Sequence, residues 1–133
     1  MGRIGLILIL LISLLLGGFR SNAQTAEELF QKAIQLEEAK GELKKAIEIY
    51  QIIVNKFRDN RSIAARSQLH IGICYEKLGK QAAIKAYKKV IREFADQEEV
   101  VTQARIRLSG IMVNRIKKKI FTLPKLVWKP ARY

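Results

Sequence analysis

The sequence predicts an all-α fold, a solenoid of stacked helical hairpins with about five helices behind an N-terminal signal segment. Three observations lead there. Apolar residues between Thr25 and about Lys119 recur at three- and four-residue spacing, the period of a helix and not the alternation of a half-buried strand. No proline falls in that stretch, and its glycines are confined to Gly41, Gly72, Gly79 and Gly110. The chain also matches itself when slid by 37 residues, which carries Ala46-Ile47 onto Ala83-Ile84, Tyr50 onto Tyr87, Phe57 onto Phe94 and Asp59 onto Asp96.

The N-terminal segment reads as an export signal. Met1-Gly2-Arg3 gives a short positive start, Ile4 to Leu16 is almost unbroken Leu and Ile, and Gly17-Gly18 breaks the run. Ser21-Asn22-Ala23 then supplies small residues before a cut at Gln24, the three-part layout of a secretory signal peptide. A membrane-spanning helix takes about 20 apolar residues, more than this run provides. The alternative is an uncleaved N-terminal anchor. On this reading residues 1–23 are the signal, 24–114 the helical repeat domain and 115–133 a basic tail.

The helices are expected at about 25–40, 43–58, 61–78, 81–94 and 97–118. Thr25 with Glu28, and Asp96 with Glu99, have the spacing of a capping box, in which each side chain satisfies a free backbone N–H of the other. Gly41 and Gly79 fall where helices should stop, because glycine takes the left-handed conformation at little cost. The offset of 37 also pairs Ile53 with Val90, Leu69 with Ile106, and Gly72 with Ser109, the last being small residues where neighbouring helices would come close. A hairpin repeated in this way cannot bury its apolar face alone and stacks on its neighbours.

Composition excludes several chemistries. The 133 residues carry 25 Lys+Arg against 12 Asp+Glu, with one His and one Cys. A single cysteine forbids an internal disulfide, and a single histidine removes most zinc and Ser-His-Asp chemistry. No phosphate-cradling glycine loop, GxSxG or HExxH pattern occurs. Adjacent carboxylates at Glu27/Glu28, Glu37/Glu38 and Glu98/Glu99 point about 100° apart on a helix, so they do not converge on one substrate atom. They read as helix-start charges or solvated surface.

The excess charge is local. Residues 115–133 hold Arg115, Lys117, Lys118, Lys119, Lys125, Lys129 and Arg132 and no acid. Interleaved with Phe121, Trp128 and Tyr133, these residues could seat on an anionic membrane surface. Two other readings stay open: a terminus covering the exposed end of the last helix, and a remnant of a longer architecture. Pro124 and Pro130 make the stretch from Phe121 read as extended. Export argues against nucleic acid as the target of this charge.

His70 and Cys74 stand four apart and share a helix side, which reads either as a thiol–imidazole nucleophile pair or as a buried thiol beside a half-exposed imidazole. No third orienting group is evident. A bond from Cys74 to a second chain is a further reading, since lone thiols in exported proteins can pair between chains.

Ile71-Gly72-x-x-Tyr75-x-x-Leu78-Gly79, followed by Ala83-x-x-x-Tyr87, resembles the tetratricopeptide repeat, and Leu36–Tyr50 resembles the end of a preceding repeat. The spacing of 37 exceeds the family's usual 34, and Arg58 and Ala95 stand where a proline often closes the second helix. The longer form resembles exported bacterial proteins of this family, including Tol–Pal-associated and outer-membrane-assembly ones, and helical regions that precede TolB-type propellers. The resemblance implies a non-catalytic scaffold or adaptor in the periplasm or cell envelope, with no cofactor and no metal. Its inner face would hold a partner protein's peptide or helix. Carried onto this sequence, the outward-pointing inner positions are Glu28, Gln31, Gln35 and Glu38, then Arg66, Leu69, Ile73 and Glu76, then Gln103 and Ile106. Together they would make a shallow groove with an acidic end and an apolar middle, suited to an amphipathic or basic segment. Arg66 and Glu76 are expected to be free of packing duty.

Overall fold

The computed structural model describes residues 24–39, 41–79 and 81–122. Residues 1–23, expected to be an export signal, and the tail beyond Thr122 lie outside the described residues. Five α-helices follow in order: α1 (Ala26–Glu38), α2 (Leu43–Lys56), α3 (Arg61–Lys77), α4 (Ala82–Glu93) and α5 (Glu98–Thr122). Every regular element among the described residues is helical, as the periodicity predicts.

Consecutive helices pack as antiparallel neighbours, and α3 touches all four others, so α1, α3 and α5 form one row flanked by α2 and α4. The packing has two equivalent cores. Phe30, Ala33, Ala46, Tyr50 and Ile53 fill the space between α1, α2 and α3. Leu69, Ala83, Tyr87, Val90 and Ala104 fill the space between α3, α4 and α5. Ala46/Ala83, Tyr50/Tyr87 and Ile53/Val90 are the pairs the 37-residue offset matches, and all six are buried. Helix α3 is buried nearly all round, as befits a central helix with neighbours on both sides.

The helix ends follow local chemistry. Thr25 caps α1 through a complete capping box with Glu28. Gly41 and Gly79, with φ of 60° and 65°, provide the left-handed turns after α1 and α3. The turns after α2 and α4 are copies of one another. Phe57 N–H donates to the Ile53 carbonyl at 2.9 Å and Phe94 N–H to the Val90 carbonyl at 3.0 Å. No proline is needed there. Phe94 drops into a notch of small residues, Ala64 and Ala65, and the Arg61 guanidinium lies 5.0 Å over its ring.

Two expectations need correction. Asp96 does not form a capping box with Glu99: α5 starts at Glu98, two residues on, and the Asp96 carboxylate is taken by Arg61 and Gln97. Hydrogen bonds from Arg61 and Gln97 hold that carboxyl below the usual carboxylate range. Arg61 also donates to the Glu93 carbonyl at 2.8 Å, so one side chain closes the end of α4 and fixes the turn into α5. Second, α5 runs on to Thr122, about a turn beyond the expected end near 118, and includes Phe121, which is helical and not extended. Straight-chain Lys117–Lys119 favour the helix there, and the first proline comes later, at Pro124.

Candidate functional site

The row of α1, α3 and α5 offers an open face built around α3. Side chains three and four apart lie on one side of a helix, so Arg66, Leu69, His70 and Ile73 share one side of α3. Across from them α5 presents Gln103 and Arg107, and α1 ends in Glu38. Two recesses result. The first is lined by Arg66, Leu69, His70 and Gln103, with Asp96, Glu98 and Glu99 at its rim. The second is lined by Glu38, Ile73, Glu76, Lys77, Gln103 and Arg107. His70 and Gln103 belong to both, so the recesses form one strip. Another cleft lies between the start of α4 and α5, where Ile84, Ile111, Arg115 and Lys118 meet; of the predicted residues only Glu76 reaches it.

The expected groove residues are distributed unevenly. Glu38, Arg66, Leu69, Ile73, Glu76 and Gln103 line the strip. Glu28, Gln31 and Gln35 are exposed on α1 but line neither recess: Glu28 is engaged in the cap, and Gln31 donates to Glu27 at 3.1 Å. Leu69 and Ile73 do not point outward; they are only 4% and 9% exposed, packed with Val101 and Ala104 of α5, and serve as an apolar floor. Ile106, the repeat partner of Leu69, is 65% exposed, since no further helix among the described residues covers it.

Arg66 and Glu76 are not free of packing duty. The Arg66 guanidinium lies 4.4 Å over the Phe30 ring, joining α3 to α1. Glu76 accepts the Tyr87 hydroxyl at 2.5 Å and the Arg107 guanidinium at 3.3 Å, joining α3 to α4 and α5. Burial first, and the Glu76 carboxylate second, push the Tyr87 phenol up, so it stays a hydrogen-bond donor.

Beneath the strip sits a polar cluster that sequence reasoning missed. Glu37, buried on α1, accepts the Tyr50 hydroxyl at 3.0 Å, Lys77 Nζ at 2.8 Å, and faces His70 Nδ1 at 2.8 Å. Burial pushes its carboxyl up, but hydrogen bonds from His70, Lys77 and Tyr50 outweigh that and bring it down to about 2. The signal was present: Glu37 follows Phe30 and Ala33 at helical spacing, on the face that packs. The His70 ring stacks on Tyr50 with centroids 5.2 Å apart and meets Phe30 edge-on at 5.4 Å.

The thiol–imidazole reading does not fit this geometry. His70 turns its Nδ1 to Glu37, and Cys74 is buried. Burial, followed by the Glu37 carboxylate, pushes the thiol up to about 12, the opposite of what a nucleophile needs. Its burial also leaves no sulfur surface for a bond to another chain. A disulfide-forming thiol reagent is expected to modify the native chain at less than about a tenth of its rate on unfolded chain. Equal rates in buffer and in urea would contradict the burial of Cys74.

Helical hairpins stacked in register, with a first-helix row carrying an open strip, define a helical-repeat protein. A family model described as tetratricopeptide repeat matches residues 66–96, from within α3 through α4 and into the turn that follows. The match supports a tetratricopeptide repeat protein, a kind of module that generally mediates protein–protein interaction and is typically non-catalytic. No curated protein and no solved structure matches the chain.

Proposed function

We propose that this protein is a scaffold or adaptor that holds a segment of a partner protein against the α1–α3–α5 face. The observation that carries this reading is the continuous strip in which the apolar floor of Leu69 and Ile73 lies between charged rims. A peptide or helix laid along it buries apolar side chains on that floor. Its polar groups meet Glu38 at one end and Glu98 and Glu99 at the other, which favours a partner segment carrying basic residues. The leader-like residues 1–23 support a location outside the cytoplasm, in the periplasm or at the envelope.

The test is affinity capture from an envelope fraction, followed by titration of the captured protein. Gln103→Arg places a cation where the two recesses meet, on an exposed position that the fold does not need. It should weaken binding by at least about tenfold, or ~1.4 kcal/mol. Equal affinity for both forms would remove the strip from the account. N-terminal sequencing of the mature chain tests the location separately, with Gln24 as the expected first residue.

A further inference from the structure

A second surface lies on α5, the last helix among the described residues. On α3 the residues that receive the following helices include Leu69, Gly72, Ile73 and Glu76: Leu69 and Ile73 pack with α5, and Gly72 and Glu76 meet Tyr87 of α4. The 37-residue offset carries these positions onto Ile106, Ser109, Gly110 and Val113 of α5. No helix among the described residues follows α5, and this face is uncovered. A Cβ built on Gly110 meets nothing within 4 Å, whereas one on Gly72 would run into the Tyr87 ring.

The uncovered face has a defined pattern. Ile106, Val113 and Ile120 are spaced seven apart, with Ser109 and Ile116 three residues after the first two. That is the a/d spacing of a coiled-coil seam, with β-branched residues at every a position. The four apolar members are 65, 47, 58 and 64% exposed for Ile106, Val113, Ile116 and Ile120. The seam runs for roughly 21 Å at 1.5 Å per residue. Helix α5 meanwhile turns Val101 and Ala104 to the core and Gln103 and Arg107 to the strip, so the seam is a separate side.

Charge identifies the occupant. Arg105, Lys117 and Lys119 take the positions flanking the seam, and residues 100–122 contain no acid. None of the three makes an ion pair among the described residues; Arg107, off the seam, is paired with Glu76. A second copy of the chain would bring the same cations against these, and so would residues 123–133, which add Lys125, Lys129 and Arg132 and no acid.

We infer that the exposed seam of α5 docks an amphipathic helix of another protein whose apolar stripe is flanked by Asp and Glu. That helix extends the stack, with Ser109-Gly110 admitting its close approach. This surface is independent of the strip assigned above.

The test uses the full chain and two synthetic helical peptides of about three heptads with Ile and Leu at a and d, one with Glu at the flanking positions and its twin with Lys. By fluorescence anisotropy the Glu peptide should bind at least about tenfold more tightly than the twin. Val113→Glu, or Ile116→Glu as a second variant, should abolish that binding with unchanged melting temperature, and Gln103→Arg should leave it intact. Equal binding of the twins, or indifference to both seam variants, overturns the proposal. So does a dimer of the full chain in sedimentation equilibrium that Val113→Glu dissolves, which assigns the seam to a second copy. Phosphatidylglycerol vesicles that bind the chain, lose it on Val113→Glu and are not displaced by the Glu peptide would assign it to a membrane instead.

Discussion

Gly72→Ala is expected to cost the fold ~3 kcal/mol, lowering Tm by roughly 15 °C in a domain of this size. The added Cβ would lie 2.4 Å from Tyr87 Cε1 and 2.7 Å from Cδ1. The ring has nowhere to retreat. It is fully buried between α3, α4 and α5, and its hydroxyl is fixed on Glu76 at 2.5 Å. Relief therefore requires α4 to move off α3, which opens the second core. Gly110→Ala supplies the control within the same helix row, since the new methyl meets nothing within 4 Å. There alanine should stabilise by up to ~1 kcal/mol through its helix preference alone. Thermal and urea melts followed by far-UV circular dichroism measure both. A Gly72→Ala form melting with the parent would mean that α3 and α4 are not in this close contact.

The same glycine shows how much was legible in advance. The offset of 37 marked Gly72 as a point of close approach, and the structure puts Tyr87, itself a repeat position, against it. Helix number, order and the first capping box were also readable, because they depend on local spacing that one-dimensional pattern records. What was not readable depends on which residue a neighbouring helix delivers. Arg66 looks like a free surface cation until α1 places Phe30 beneath it. Asp96 looks like a cap until Arg61, 35 residues earlier, reaches it. Ser109 repeats Gly72 in type but not in contact, because no helix among the described residues packs against it. For the strip, the tetratricopeptide resemblance points to Arg66, Glu76 and Gln103 and passes over His70, Lys77 and Arg107, each one turn along from a residue it names.

Glu37→Ala should destabilise the chain by ~3 kcal/mol and remove most of its loss of stability in acid. The carboxylate is the acceptor that joins three helices, taking Tyr50 of α2 and His70 and Lys77 of α3 onto α1. Truncation strips the buried Tyr50 hydroxyl of this acceptor and leaves a void, while Lys77, half exposed, returns to water. Glu37→Gln keeps the volume but turns an amide N–H₂ toward groups that donate, so it should recover only part of the loss. The pH dependence follows from the carboxyl's displacement from 4.5 to about 2 on folding. A group whose folded value is depressed contributes stability that is complete above the unfolded value and is lost as pH falls toward the folded one. Stability should therefore hold steady from neutrality to about pH 5 and fall between 4.5 and 2, the displacement corresponding to ~3 kcal/mol. Asp96 is also depressed by Arg61 and shifts in the same direction, but it is solvent-exposed, so added salt should suppress its share and spare that of Glu37. Urea melts at about 0.5 M salt across this range separate the two. An acid slope of equal size in the parent and in Glu37→Ala would place the proton uptake elsewhere and leave the three-helix junction without its electrostatic role.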